Sequence, residues 1–390
     1  MILIVGASLA GLRAAEAVRE GGYDGELAIL GEERSMPYDR PPLSKEVLLG
    51  EKGAEEVLLP VADGLDARWL LGERALGLDP VAKRVRTAAG EEVGYDSLIV
   101  ATGSGPRRLP GLEPDGERVL EVRTIEDALK LAAALDRAER LLIVGSGFIG
   151  VEVASAARAR GVAVSVVTLD PPLVAAGHLV SRAAAAMLAA NGVELYEEHT
   201  VASLERRPDG VLATLDEGTT IAASLAVVAV GAAPNVGWLE GSGLELENGV
   251  VCDAELRAVG VEDVYAAGDV ARWPNPLFAG RPMRIEHWAN AIEQGDAVGA
   301  AVLAGADAEP FVSLPSVWSD HFGTRLQVVG LPALADSFEL AAGEVGAGEF
   351  AALALFDGNP VGAVSYGMRR EFAKLRARIR SELPVSGSIH

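Results

Sequence analysis

Ile2-Leu3-Ile4-Val5-Gly6-Ala7-Ser8-Leu9-Ala10-Gly11 sets four apolar residues directly before a turn of small ones, and Leu141-Leu142-Ile143-Val144-Gly145-Ser146-Gly147-Phe148-Ile149-Gly150 does so again. A short aliphatic run bounded by glycine reads as a buried parallel strand. In both copies a helix rich in small residues follows, through residue 18 in the first and residue 160 in the second. A second aliphatic run comes next, at 27–30 and 162–167. Each copy is therefore a strand, a turn, a helix and a parallel strand, and the duplication predicts two nucleotide-binding units in an α/β chain.

Outward from these copies, residues 97–100 form another buried strand that ends in Ala101-Thr102-Gly103. A matching passage, 225–231, ends in Val230-Gly231 before Pro234. If the two strands bracket the second unit, that unit is an insertion. The expected division is 1–106 with 235–308 for the first dinucleotide domain and 107–234 for the second. From residue 309 to 390 the pattern shifts to short strand-like runs, at 316–318, 326–329 and 350–356, and predicts a third, α+β domain. Its last helix carries Met368, Phe372, Leu375 and Ile379 at helical spacing, with basic residues on the other face.

The 390 residues carry a net charge of −22, which leaves no basic field for nucleic acid. The one concentration of positive charge lies between 366 and 380. There Arg369, Arg370, Lys374, Arg376, Arg378 and Arg380 face a single acid, Glu371. The longest uncharged stretch, 219–239, is interrupted by Gly231, Pro234 and Gly237, so it reads as a strand and loop and no membrane span is expected. No export signal precedes Ile2, and a single cysteine, Cys252, excludes both an internal disulfide and a paired-thiol site. A cytoplasmic, reducing setting is expected.

A glycine turn between strand and helix brings backbone N–H groups and the positive helix end onto a pyrophosphate. The first turn has Ser8 where the middle glycine usually stands, and Glu32, twenty-one residues after Gly11, is placed to accept from ribose hydroxyls. The second turn, Gly145, Gly147 and Gly150, is complete, yet its ribose position is Thr168, with Asp170 two residues on. Without a carboxylate at Thr168 the repulsion of a 2′-phosphate weakens, but no Arg or Lys lies between 161 and 180 to attract one. NADH is favoured through Asp170, and NADPH stays open.

Several stretches occur in a telling order: the first turn, Pro37-Tyr38-Asp39-Arg40-Pro41-Pro42-Leu43-Ser44-Lys45, Ala101-Thr102-Gly103, Val122-Arg123-Thr124, the second turn with Glu152, Ala266-Ala267-Gly268-Asp269, and Ile285-Glu286-His287-Trp288-Ala289-Asn290-Ala291. Over residues 2 to about 380 the chain resembles the bacterial FAD-dependent ferredoxin reductases of the putidaredoxin-reductase type, within the glutathione-reductase superfamily.

That resemblance implies FAD held by Gly6, Ser8, Ala10, Gly11, Glu32, Lys45, Ala101, Thr102, Gly103, Arg123, Gly268, Asp269, Glu286, His287 and Trp288. Asp269 would face the ribityl chain and Trp288 the isoalloxazine. It implies a nicotinamide dinucleotide on Gly145, Gly147, Phe148, Ile149, Gly150, Thr168, Asp170, Val230 and Gly231, with Phe148 covering the flavin until nicotinamide displaces it. Lys45, steadied by Glu152, would stabilise the negative charge that arrives with hydride. With no thiol near these motifs, electrons must leave singly to an external acceptor such as a [2Fe–2S] ferredoxin feeding an oxygenase, docked near Arg369, Arg370 and Lys374. A flavin redox sensor, an NADH oxidase or a rubredoxin reductase are the alternatives.

Overall fold

In a computed structural model describing residues 1–383, the two opening repeats become the centres of two five-stranded parallel sheets. The first runs Val264–Ala266, Ser97–Val100, Ile2–Val5, Leu27–Gly31, Arg68–Leu71. The second runs Val193–Glu197, Ala163–Thr168, Arg140–Val144, Leu225–Val228, Val119–Leu120. In each sheet the strand before the glycine turn has its successor on one side and a later strand on the other. The connections therefore diverge at its carboxyl end and open a crevice, where open α/β sheets bind ligands.

The duplication reaches further than the glycine motifs. A three-stranded antiparallel meander, Ala75–Asp79, Arg84–Thr87 and Glu92–Gly94, precedes the strand Ser97–Val100. Another, Val201–Arg207, Gly210–Leu215 and Thr220–Ala223, precedes Leu225–Val228. The two passages between the sheets are tied by an antiparallel pair, Ser104–Pro106 against Ala232–Pro234. After the second passage the chain returns to the first sheet with Val264–Ala266.

The helix Leu9–Glu20 after the first turn packs closely on Trp288–Ala304. Gly295 and Gly299 lie one turn apart, and a Cβ on either would stand 2.7–2.8 Å from the carbonyl oxygen of Ala10 or Ala14. This contact brings Trp288, at the start of its helix, to the first turn.

The carboxyl-terminal domain is an antiparallel sheet in the order Ser316–His321, Thr324–Gly330, Asn359–Tyr366, Glu349–Phe356, Ser337–Glu344, covered by the helix Arg369–Glu382. Phe372, Leu375 and Ile379 are buried, whereas Met368 stands just outside the helix as its N-cap. Cys252 lies one residue beyond the short strand Val250–Val251, and burial pushes its thiol pKa strongly up. No helix among the described residues is long and apolar enough to cross a membrane.

Candidate active site

Both turns adopt the same backbone. Gly6 and Gly145 have φ of 126° and 100°, and a Cβ on Gly11 or Gly150 would stand 2.0 or 2.2 Å from the Gly6 or Gly145 carbonyl oxygen. Only glycine fits there, so each helix starts hard against its strand. Around Gly147 nothing lies within 4 Å of a would-be Cβ, which leaves its face open to a ligand.

Two cavities meet at the first turn. One, of about 710 Å³, extends past Gly6, Glu32, Glu73, Arg74 and Trp238. The other, of about 570 Å³, extends past Lys45, Phe148, Ile149, Glu152, Asp269, Glu286, His287, Trp288 and Trp318. Ser8, Arg40, Ala101, Thr102 and Arg123 line both and form the neck between them. An elongated two-part ligand with its charged link at the neck fits this shape.

The electrostatics agree. Arg123 and Arg40 sit together at the neck, and the Arg123 pKa is lowered first by desolvation and then by the Arg40 charge. Asp269 lies 3.6 Å from Arg123 and accepts from Ser104, while Glu33 takes Arg40 at 2.6 Å. Two crowded guanidinium groups favour an anion between them. Buried polar atoms without protein partners also face this space: Glu73 Oε2 and Trp238 Nε1 in the larger cavity, Arg284 Nε and His287 Nδ1 in the smaller. Buried polar atoms of this kind want a partner, and a dinucleotide carries donors and acceptors along its length. Desolvation pushes the His287 imidazole down to about 4, so it is neutral.

In the smaller cavity, Lys45 and Glu152 form an ion pair of 2.8 Å with both side chains largely buried. Ser44 donates to the other carboxylate oxygen of Glu152, and Lys45 also donates to the Pro41 carbonyl. Glu152 comes from the helix of the second turn and Lys45 from the segment after residue 37, so the pair bridges the two dinucleotide regions. Trp288 Nε1 donates to Asp39 at 2.6 Å and meets Trp318 edge-on, with ring centroids 5.7 Å apart. Phe148 and Ile149 reach from the second turn into the same cavity.

The structure thus brings Gly6, Ser8, Ala10, Glu32, Lys45, Ala101, Thr102, Gly103, Arg123, Phe148, Ile149, Glu152, Gly268, Asp269, Glu286, His287 and Trp288 to the walls of the two joined cavities. Gly11 stands behind them under Gly6. Gly145, Gly147, Gly150, Thr168, Asp170, Val230 and Gly231 stand outside those linings, at the second turn and its neighbouring strand ends. Thr168 is buried, and its hydroxyl donates to the Asp170 carbonyl and pairs with Ser146 at 2.7 Å, so it is committed within the protein. Arg369, Arg370 and Lys374 line neither cavity, and Lys374 is paired with Glu371 at 2.8 Å.

Sequence reasoning gave no role to Arg40, Asp39, Ser44, Glu73, Trp238 or Trp318. Arg40 and Ser44 had a signal, since both lie in the quoted stretch 37–45. Glu73 and Trp238 are brought in by the meander and by the return passage, and no local pattern marks them.

Residues 1–295 match the pyridine nucleotide-disulphide oxidoreductase family and residues 316–388 the reductase C-terminal family. The anthranilate 1,2-dioxygenase system ferredoxin–NAD(+) reductase component of Burkholderia cepacia is 37% identical, over 97% of this chain and 93% of that protein. The rubredoxin–NAD(+) reductase of Pseudomonas putida is 35% identical, over 86% and 87%. The reductase in a covalent putidaredoxin reductase–putidaredoxin complex superposes with a TM-score of 0.91 at 28% identity, covering 98% of this chain and 94% of that one. The paired cavities, the duplicated sheets and the added antiparallel domain thus have one common source: the chain belongs to the pyridine nucleotide-disulphide oxidoreductase family, in the form that carries a reductase C-terminal domain.

Proposed function

We propose that this protein is an FAD-dependent reductase that takes hydride from NADH and passes the electrons singly to a [2Fe–2S] ferredoxin serving an oxygenase. The observation that carries the reading is the Lys45–Glu152 pair, buried in a cavity reached from both glycine turns and free of thiols. Residues 1–106 with 235–308 make the FAD domain in this reading, 107–234 the NADH domain and 309–390 the third.

FAD, when bound, supplies a ring that accepts two electrons as hydride and releases them one at a time. The protein's part is to bind, orient and compensate charge. The Gly6 turn and the Arg40–Arg123 neck take the pyrophosphate, Glu32 the adenosine ribose, and Asp269 the ribityl hydroxyls. Lys45 holds positive charge where negative charge develops, and Glu152 fixes its direction. Gly145, Gly147, Gly150, Val230 and Gly231 hold the incoming dinucleotide, with Asp170 at its ribose and Thr168 shaping the strand end. Phe148 and Ile149, at the start of that helix, screen the cavity until the nicotinamide arrives.

The only cysteine is buried outside these cavities with a raised pKa, so a thiol relay is unsupported. In this reading the acceptor approaches on the side of Trp318, which is half-buried and lines the smaller cavity. The helix Arg369–Glu382, with six basic residues against two acidic, steers an acidic partner toward it. The 35% identical rubredoxin reductase favours rubredoxin as a second acceptor to assay. Steady-state NADH oxidation with a [2Fe–2S] ferredoxin, a rubredoxin and ferricyanide in parallel tests the reading. Fast turnover with the ferredoxin supports it; turnover with ferricyanide alone would remove the ferredoxin role.

A further inference from the structure

Behind the Lys45–Glu152 pair, on the side away from the flavin cavity, lies a line of polar groups wholly inside the protein. Ser319, His321 and Tyr366 have no exposed surface, and Glu152 has 5%. Ser319 donates to Glu152 Oε1, the same oxygen that takes Lys45. Ser319 Oγ lies 2.7 Å from His321 Nε2, and His321 Nδ1 lies 3.1 Å from the Tyr366 hydroxyl. Ser319 and His321 are two apart on one strand, so they share a face. Tyr366 comes from Asn359–Tyr366, two strands across the sheet.

The chemistry of the acceptor fixes the direction of this line. An ionised carboxylate only accepts, so the Ser319 proton points at Glu152. Ser319 Oγ must then accept from His321, which places a proton on Nε2. His321 Nδ1 is left bare and accepts from the Tyr366 hydroxyl. Burial keeps both titratable donors neutral: it pushes His321 down to about 3, helped by the Lys45 charge, and pushes Tyr366 up. Three groups thus donate in sequence toward one oxygen, and such a chain polarises each of its members. Removal of any one leaves a fully buried polar atom without its partner.

We propose that Ser319, His321 and Tyr366 of the carboxyl-terminal domain are positioning residues for the hydride-accepting site, holding Glu152 ionised and oriented so that Lys45 faces the flavin. The proposal rests on the FAD and NADH reading above. The antiparallel domain then does more than cover the site, because its edge strand Ser316–His321 completes it. The Phe322 backbone N–H donating to Ser155 pins the same strand end to the helix that carries Glu152.

The test uses the full-length FAD-loaded protein and begins with a readout independent of turnover. The chain has five histidines, and the ¹⁵N-histidine spectrum, with the His321 signal identified by its loss in His321→Gln, should show His321 as the Nε2–H tautomer. In Tyr366→Phe that tautomer should persist, because Ser319 still accepts at Nε2, while the Nδ1 resonance moves as its donor is lost. Anaerobic stopped-flow reduction by NADH should slow about tenfold in Ser319→Ala, the loss expected for one hydrogen bond to a charged group. The same equilibrium factor lowers the flavin midpoint potential by about 30 mV for a two-electron couple.

His321→Gln keeps a donor at the Nε2 position and should recover most of the rate that His321→Leu loses. In a Glu152→Gln background Ser319→Ala should add nothing. Should Ser319→Ala fail to retain FAD, the Nδ1 resonance shift in Tyr366→Phe and the His321→Gln and His321→Leu pair decide the question alone. An Nδ1–H tautomer in the unaltered protein, an unchanged potential in FAD-loaded Ser319→Ala, or equal rate losses with and without Glu152 would overturn the proposal. Failure of the unaltered protein to bind FAD or to be reduced by NADH would instead strike the reading it rests on.

Discussion

The turns at Gly6 and Gly145 are the same backbone put to different use. Both pin a helix against its strand through a glycine whose Cβ has no room, at Gly11 and Gly150. The first opens into two joined cavities whose orphaned buried atoms and crowded arginines want a ligand that stays. The second presents Gly147 to open space, and at its strand end Thr168 has spent its hydroxyl on Ser146 and Asp170. Enclosure suits a resident cofactor, and exposure suits a substrate that must leave. The difference lies in what later segments bring to each turn.

The largest effects should come from the turns themselves. Gly11→Ala should weaken FAD binding roughly 100-fold, for about 3 kcal/mol of displaced backbone, as read by bound flavin per chain. Gly150→Ala should keep the flavin and raise KM for NADH by a similar factor, roughly 100-fold. Loss of FAD from both variants alike would erase the distinction between the turns. Lys45→Met should keep FAD and slow anaerobic reduction by about 100-fold, the usual loss for one charge-stabilising donor. A rate within twofold of the unaltered protein would remove Lys45 from the chemistry.

How far this was legible beforehand follows the range of each constraint. Glycine turns are local, because one backbone clash demands one residue type, so Gly6, Gly11, Gly145 and Gly150 stand out along the chain. The buried face of Phe372, Leu375 and Ile379 was equally plain from periodicity. The strands Ser337–Glu344 and Asn359–Tyr366 were not, since the first is an edge strand exposed along most of its length and the second holds Gly362 and Pro360. Trp288 meets Asp39 across 249 residues, and Glu152 meets Ser319 across 167. Such pairs are made by packing of whole domains, and neither partner's neighbours announce them. Ser319 and His321 had at most a faint signal, two polar residues at strand spacing just past the run 316–318.

Smaller effects sharpen the comparison. Exchanging Arg369, Arg370 and Lys374 for Glu should slow ferredoxin reduction about tenfold at low ionic strength, converge with the unaltered protein at high salt, and leave ferricyanide reduction intact. Equal losses for both acceptors would assign the helix to the fold. Asp170→Asn should lower the NADH-over-NADPH ratio of kcat/KM by at most about fivefold, because an exposed charge contact is worth under about 1 kcal/mol. An unchanged ratio would remove Asp170 from the ribose site.

The last prediction concerns pH. His287 in the wall of the first cavity and His321 behind Glu152 are held at about 4 and about 3, below the ordinary value of 6.5. The unfolded chain therefore binds more protons below pH 6.5. Stability is full above that pH and falls on acidification, by up to about 1.4 kcal/mol per pH unit for each histidine. Melting temperatures from pH 7.5 to 5 should fall, less steeply in His321→Gln; a parallel fall in that variant would locate the dependence elsewhere.

The central claim, a resident FAD at the first turn reduced by NADH arriving at the second, is met most directly by anaerobic titration of the purified protein followed by visible absorbance. A yellow protein with one flavin per chain, bleached by one equivalent of NADH and bleached far more slowly in Gly150→Ala at the same NADH concentration, is the predicted result. A colourless protein that takes up no FAD, or a flavin that NADH leaves oxidised, would contradict it.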